Sequence, residues 1–233
     1  MTVLGIVPAR GGSKGVPDKN LRVVGGHSLL ALTAAAARGS TRLTRTVLST
    51  DSPAIAEAGR AVGLDVPFLR PAELAADDTP ILPVLRHAVD ALAAEGFRAD
   101  VVVLLQPTSP FRRSEHIDAA VSLLDETGAD SVVSVVEVPH QFSPVSVLTL
   151  DGERLRPFIA GPLITRRQDK PRAYARNGPA VLAVRRQVLE RGELYGTDCR
   201  PLMMTLADSV DIDDEGDLEY ADFVARRAHS YRP

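Results

Sequence analysis

The chain has 233 residues, 45% of them hydrophobic and 24% charged, with a formal net charge of −3. That length supports one substantial core, and a charge so near neutral gives no global attraction for nucleic acid or an anionic membrane. One cysteine, Cys199, no tryptophan and 4% aromatic residues exclude a disulfide framework, a cysteine-built zinc site and a stacking platform for single strands.

In chain order, an apolar strand is expected at 3–7, running directly into a glycine-rich, cationic loop. A helix at 28–38, a strand at 46–49, a helix at 53–62, a strand at 66–69 and a helix at 80–95 follow. Next come a strand at 101–105, a helix at 114–126 and a strand at 131–138. The run Val101-Val102-Val103-Leu104-Leu105 is apolar at every position, which marks a strand buried on both faces. This alternation predicts an α/β fold: a Rossmann-like, mostly parallel sheet with helices on both faces. After Val138 the rhythm breaks. Several prolines, the turn signal Asp151-Gly152 and a short run at 145–150 predict an extended lobe, about 139–179, inserted into a single domain of residues 1–233. Strands at 180–184 and 203–206 and a helix at 215–227 complete the pattern. The apolar run at 3–7 is too short for the core of a secretory leader, and no run approaches the roughly 18 residues that span a bilayer. A cytoplasmic protein without membrane contact is therefore expected.

The first loop reads Pro8-Ala9-Arg10-Gly11-Gly12-Ser13-Lys14-Gly15-Val16-Pro17-Asp18-Lys19-Asn20. Its glycines let backbone N–H groups turn toward an anion with no Cβ in the way. Arg10, Lys14 and Lys19 supply the charge that the backbone lacks. The combination suits a polyphosphate placed beyond the carboxyl end of a strand. The order of a Walker loop and the Gly-x-Gly-x-x-Gly of a dinucleotide fold are both missing. Near the other end, Asp211-Ile212-Asp213 puts two carboxylates on one face of an extended segment. Two hard oxygen ligands suit Mg²⁺ shared with phosphate oxygens, although Asp213, Asp214 and Glu215 would also favour a helix start.

Read without a gap, residues 8–20 resemble the signature of the acylneuraminate cytidylyltransferases, Pro-Ala-Arg-x-x-Ser-Lys-Gly-x-x-x-Lys-Asn. The resemblance implies a nucleotidyltransferase fold in which Arg10, Ser13, Lys14 and Lys19 hold the phosphates of CTP. Ala9, Gly11 and Gly12 belong to the same cradle, and Asn20 lies near the cytosine or ribose. Arg10, Lys14 and Lys19 would stabilise the departing pyrophosphate as charge builds on it. The match continues through Ser49-Thr50-Asp51 and through 69–79, where Arg70 is the implied pyrimidine contact, with Asp78 and Thr79 beside it. In Gln106-Pro107-Thr108-Ser109-Pro110, Gln106 would meet the acceptor sugar. The cationic stretch with Arg166, Gln168, Tyr174, Arg176 and Asn177 resembles the family's Arg-Gln-x-x-Pro…Asn-Gly-Ala motif at the acceptor and triphosphate. Ser209-Val210-Asp211-Ile212-Asp213 resembles its acidic motif.

The implied reaction moves CMP from CTP to the hydroxyl of a sialic-acid-like 2-keto sugar acid and releases pyrophosphate, with Mg²⁺ as cofactor. The implied partners are CTP, a small acidic acceptor and a second copy of the chain, toward which the insert crosses. One departure leaves the acceptor open: Asn177-Gly178-Pro179-Ala180 stands where the family continues Asn-Gly-Ala-x-Tyr. Legionaminic acid, pseudaminic acid and a phosphonate remain alternatives, and so does a non-catalytic nucleotide-binding module.

Overall fold

The protein is described from a computed structural model over residues 1–12, 15–161 and 164–230, with side chains to Arg227. Its elements run β1 (Val3–Pro8), β2 (Val23–Val24), β3 (His27–Ser28), α1 (Leu29–Gly39), β4 (Arg45–Ser49), α2 (Pro53–Ala61), α3 (Ile81–Ala94) and β5 (Val101–Leu104). They continue α4 (Ser114–Thr127), β6 (Ser131–Glu137), β7 (Leu148–Asp151), β8 (Arg154–Pro157), β9 (Tyr174–Arg176), β10 (Leu182–Arg185), α5 (Arg186–Glu190), β11 (Cys199–Met203) and α6 (Glu215–Ser230).

Side-chain alternation along the central strands builds two cores, one on each face of the sheet. Val3, Val7, Val101 and Val103 pack with Leu30, Ala34, Ile117 and Leu124 of α1 and α4. Leu4, Ile6, Val102 and Leu104 pack the other way, with Leu85 and Leu92 of α3 and Val188 of α5. Local signals set the helix starts. The Ser28 hydroxyl accepts from the Ala31 N–H, and the Ser52 hydroxyl accepts from that of Ile55, with Pro53 in the first turn of α2.

The sheet order is β11-β6-β10-β5-β1-β4, with β9 on the far end of β6. Parallel pairing joins β4, β1 and β5, and also β6 with β11. Strand β10 runs antiparallel to both β5 and β6. Five of these strands therefore end at one edge, and the reversed β10 begins there. Register brings Pro8 beside Ser49 and Ile6 beside Leu104, so the loops after β1, β4 and β5 emerge together. Leu182 pairs with Leu104, which delivers the loop before β10 to the same place. The chain leaving β11 arrives there too, and the Ile212 N–H donates to the Thr108 carbonyl at 3.0 Å.

A third, smaller core joins the two ends of the sequence. Val16, Val24 and Leu29 pack with Ile212, Leu218, Ala221 and Ala225. It anchors α6 over the first loop, and Arg22 grips Glu215 through two hydrogen bonds of 2.6 and 2.8 Å.

Three sequence expectations are corrected. Residues 66–69 form no strand; only Asp65 bridges to Val47, and Arg70 N–H donates to the Thr50 carbonyl at 2.7 Å. Pro67 cannot donate to a ladder, so the segment trails the sheet edge as extended chain. The strand expected at 203–206 lies at Cys199–Met203 instead, where an edge position tolerates Pro201. The strand near 180–184 is antiparallel rather than another parallel unit. Between β6 and β10, β7 and β8 form a hairpin of their own. Leu148 pairs with Pro157 and Leu150 with Leu155, so those four share one face. That face is exposed: Leu150 is 72% and Leu155 65% accessible.

Candidate functional site

A cleft of about 500 Å³ opens at the carboxyl edge of the sheet, lined by the loops after β1 and β5, by the segment from Arg70 into α3 and by Asp213. The loop after β1 forms one wall. Its path is fixed by Gly11 N–H donating to Asp51 Oδ1 at 3.0 Å and by Asn20 Nδ2 donating to the Arg10 carbonyl at 3.1 Å. Ala9 is buried, its N–H bound to the Ser49 carbonyl at 3.0 Å. Gly12 has φ +66, a conformation that suits glycine. Asn20 thus shapes the cradle from beneath while also lining the cleft. Arg10 lines the cleft, bonds the Gly12 carbonyl at 3.3 Å and pairs with Asp77 on the facing segment. Ser13 and Lys14 lie outside the described residues.

Lys19 joins the cradle to the acidic segment. Its Nζ donates to the carbonyls of Ile212 at 2.8 Å and Asp213 at 3.1 Å, and lies 3.7 Å from Asp213 Oδ1. Gly15 sits so close to the Asp213 carbonyl that any Cβ would collide with it. The two sequence ends therefore meet, as the polyphosphate reading requires. Asp213 is exposed, whereas Asp211 is half-buried and its Oδ1 has no hydrogen-bond partner. Burial, reinforced by the Asp213 charge, pushes the Asp211 carboxyl above the usual carboxylate range; Thr108 and Lys19 oppose the shift. Among the described residues no group of three or more His, Cys, Asp or Glu could hold a metal.

Arg70 closes the far wall. It is 5% exposed, and its Nε and Nη2 have no hydrogen-bond partner. Its only ion-pair contact among the described residues is Asp51 Oδ1 at 3.6 Å. Burial pulls its pKa down, and the Asp51 charge opposes that pull. A guanidinium on the wall of a cleft is suited to flat acceptor groups such as those of a pyrimidine edge. Thr79 also lines the cleft, its N–H on the Ala76 carbonyl at 3.2 Å, while Asp78 is exposed outside the lining.

The acceptor-side residues scatter. Gln106 lines the cleft and donates to the Gly178 carbonyl at 3.3 Å. Asn177 is an interior tie. Its Oδ1 accepts from Ser134 at 2.6 Å, and its Nδ2 donates to Ser209 at 2.8 Å. Arg176 stacks over Tyr195, 5.0 Å from the ring centroid, and bonds its hydroxyl at 2.7 Å. Tyr174 is exposed on β9, and Arg166 pairs with Asp169 at 2.6 Å on an exposed turn. Gln168 lines a second cleft of about 740 Å³ with His140, Arg167, Lys170 and Arg172, and that cleft shares no residue with the first. Within one chain, then, only Gln106 of the six reaches the first cleft.

Sequence reasoning gave no role to Asp51 or Asp77, which hold Arg70, Gly11 and Arg10 in place. Asp51 was signalled by its position just beyond an apolar strand. Asp77 fell within the matched stretch 69–79, but its pairing with Arg10, 67 positions away, had no local signal.

Residues 4–183 match the family model for cytidylyltransferases. The chain belongs to the cytidylyltransferase family. As a cytidylyltransferase it is 35% identical over 214 residues to the CMP-N,N'-diacetyllegionaminic acid synthase of Legionella pneumophila, covering 91% of each chain. It is 29% identical over 225 residues to the synthase of the same name from Campylobacter jejuni, covering 95% and 94%. The N-acylneuraminate cytidylyltransferase of Escherichia coli is 32% identical over 221 residues, which is 94% of this chain but 51% of that one. This cytidylyltransferase thus spans about half the length of the E. coli protein. The fold is also that of a CMP:2-keto-3-deoxy-manno-octonic acid synthetase solved with CTP, with TM-score 0.72, 17% identity and coverage of 99% and 100%. The chain is accordingly a nucleotidyltransferase with an α/β fold.

Proposed function

We propose that this cytidylyltransferase joins CMP from CTP to the anomeric hydroxyl of a 2-keto sugar acid of the sialic and legionaminic type. The supporting observation is the junction at Lys19, where the anion cradle and the acidic segment meet at hydrogen-bond distance. The acceptor hydroxyl attacks the α-phosphorus and gives up its proton to solvent, the bond from that phosphorus to the α–β bridging oxygen breaks, and pyrophosphate leaves with that electron pair. Arg10, Lys19 and the cradle N–H groups stabilise the charge that builds on the leaving group. Lys14 and Ser13 belong to the same cradle by their place in the motif. Arg70 reads the pyrimidine edge, and Gln106 orients the acceptor.

The donor set fits Mg²⁺. Asp211 and Asp213 offer hard oxygens, Asp211 Oδ1 is buried without a partner, and the phosphates of a nucleotide would supply further ligands. Bound there, the ion would polarise the α-phosphate and lower the pKa of the attacking hydroxyl.

The acceptor acid carries a carboxylate, and the cations of the second cleft suit it. That cleft is separate from the first within one chain, and the β7–β8 hairpin leaves an apolar face uncovered. Both features support a homodimer in which the lobe of one copy completes the acceptor site of the other. No described helix is long and apolar enough to cross a membrane, and a cytoplasmic setting agrees with the nucleotide donor.

Pyrophosphate release tests the reading. Four nucleoside triphosphates are paired with N-acetylneuraminic, diacetyllegionaminic, pseudaminic and other 2-keto acids. Turnover is expected with CTP alone, and diacetyllegionaminic acid leads the panel because two relatives matched along nearly their whole length carry its name. CTP binding without pyrophosphate from any acid would leave only a binding module.

A further inference from the structure

Behind the wall that carries Gln106 lies a cation with no assigned role. Arg112, in the turn between β5 and α4, is 4% exposed and lines neither the nucleotide cleft nor the lobe cleft. Among the described residues no carboxylate pairs with it. Burial alone brings its pKa down to about 9. Its Nε and Nη2 have no hydrogen-bond partner, so the fold pays for an uncompensated guanidinium.

The use of its remaining nitrogen explains its presence. Nη1 donates to the Gln106 carbonyl at 2.8 Å and to the Ala180 carbonyl at 3.0 Å. One planar group thereby joins the loop after β5 to the loop before β10. The Gln106 side chain makes a second link, from Nε2 to the Gly178 carbonyl at 3.3 Å. Gly178 in turn packs against Asp211: a Cβ built there would lie 3.3 Å from both carboxylate oxygens and 3.2 Å from the Ser109 hydroxyl. Gln106 lines the cleft, and the loops that carry Gln106 and Gly178 are both held from behind by Arg112.

We propose that Arg112 is a positioning residue for acceptor binding, whose guanidinium locks the loops at 106–109 and 177–180 together and so sets where Gln106 meets the sugar acid. The inference rests on the acceptor reading above. It implies a split between substrates, because the CTP cradle and Arg70 sit on loops that Arg112 does not touch. Lysine is a partial replacement: one ammonium can reach two carbonyls, as Lys19 does, but its flexible stem fixes the two loops less firmly than a planar guanidinium.

The test compares wild type with R112M, R112K, Q106A and R112M/Q106A in the pyrophosphate assay, with CTP affinity measured by calorimetry. R112M is expected to raise the acceptor KM tenfold or more while the KM and Kd of CTP stay within twofold. R112K recovers part of that loss. Q106A weakens acceptor binding strongly in the wild-type background and little in R112M, since the link is already broken. If R112M proves insoluble, the same split must appear in R112K. Equal rises in both KM values, or losses that multiply in the double variant, would overturn the inference and leave a purely structural tie. A wild type silent on every acid would defeat the acceptor reading and this inference with it; an active wild type beside an R112M of unchanged acceptor KM overturns the inference alone.

Discussion

Lys19 stands at the centre of the site because it satisfies two demands at once. Its ammonium holds the Ile212 and Asp213 carbonyls and still lines the cleft. Lys19→Ala should lower kcat by a few hundred-fold, since loss of one transition-state donor costs about 3–4 kcal/mol. The same variant should need more Mg²⁺, because the acidic segment loses its anchor; a magnesium titration of pyrophosphate release checks both effects. Arg70→Met tests base reading. A hydrogen bond from a charged group contributes about 1.5–3 kcal/mol, so the KM of CTP should rise roughly 10- to 100-fold and the preference over UTP should narrow. The fold should lose little beyond the 3.6 Å pairing of Nη2 with Asp51, because neither Nε nor Nη2 makes a hydrogen bond. Gly178 has φ +114, which L side chains avoid, and a Cβ would press on Asp211. Gly178→Ala should cost about 1–3 kcal/mol in a urea melt and most of the activity.

At the scale of elements, two features carry predictions. The carboxylate of Asp118 on α4 gathers the chain after α1, accepting from the Thr41 N–H at 3.0 Å, the Thr41 hydroxyl at 2.7 Å and the Arg42 N–H at 3.2 Å. Partial burial pushes this carboxyl upward, but the hydrogen bonds of Ser40, Thr41 and Arg42 outweigh it and hold the group below its ordinary 3.8. A depressed carboxylate stabilises above its unfolded pKa, and the gain fades as pH falls through the lower folded value. Asp118→Asn should therefore cost about 1–3 kcal/mol near neutral pH, and urea melts at falling pH should show the gap closing below pH ~4. The β7–β8 hairpin is the second feature. A two-stranded hairpin with one apolar face is marginal alone and needs a cover. Leu150→Asp with Leu155→Asp should give a monomer in sedimentation velocity and unchanged far-UV circular dichroism. Turnover should fall with the dimer, and an active monomer would show that each copy builds its acceptor site unaided.

At the scale of the whole molecule, the site depends on a small core that ties residues 16–29 to residues 212–225. Ile212 is its keystone, fully buried between the two aspartates. Ile212→Ala should cost about 2–5 kcal/mol of stability through the cavity it leaves. Nucleotide affinity should fall as well, because Asp211 and Asp213 would no longer be held against the cradle; calorimetry with CTP and Mg²⁺ measures that loss.

Local chemistry made much of this legible in advance. The apolar strands at 3–7 and 101–105 and the glycine-rich loop announced a sheet with an anion cradle at its edge, because burial on both faces and freedom from Cβ each demand particular residues in sequence. The motif order at Arg10, Lys19, Arg70 and Gln106 pointed to the family that the match over residues 4–183 bears out. What the sequence left undetermined depends on long-range geometry. Whether residues 66–69 join a ladder turns on Pro67 and on their place at the sheet edge. The reversal of β10, which brings Gly178 to Asp211 and Arg112 to Ala180, depends on which neighbours a short apolar strand finds. Asn177, read from its motif as a substrate contact, is committed to Ser134 and Ser209, partners that only folding supplies. Composition and period fix what a segment can become, because they act within a few residues; which distant groups satisfy a buried charge or amide is decided only when the sheet closes and water is expelled from between them.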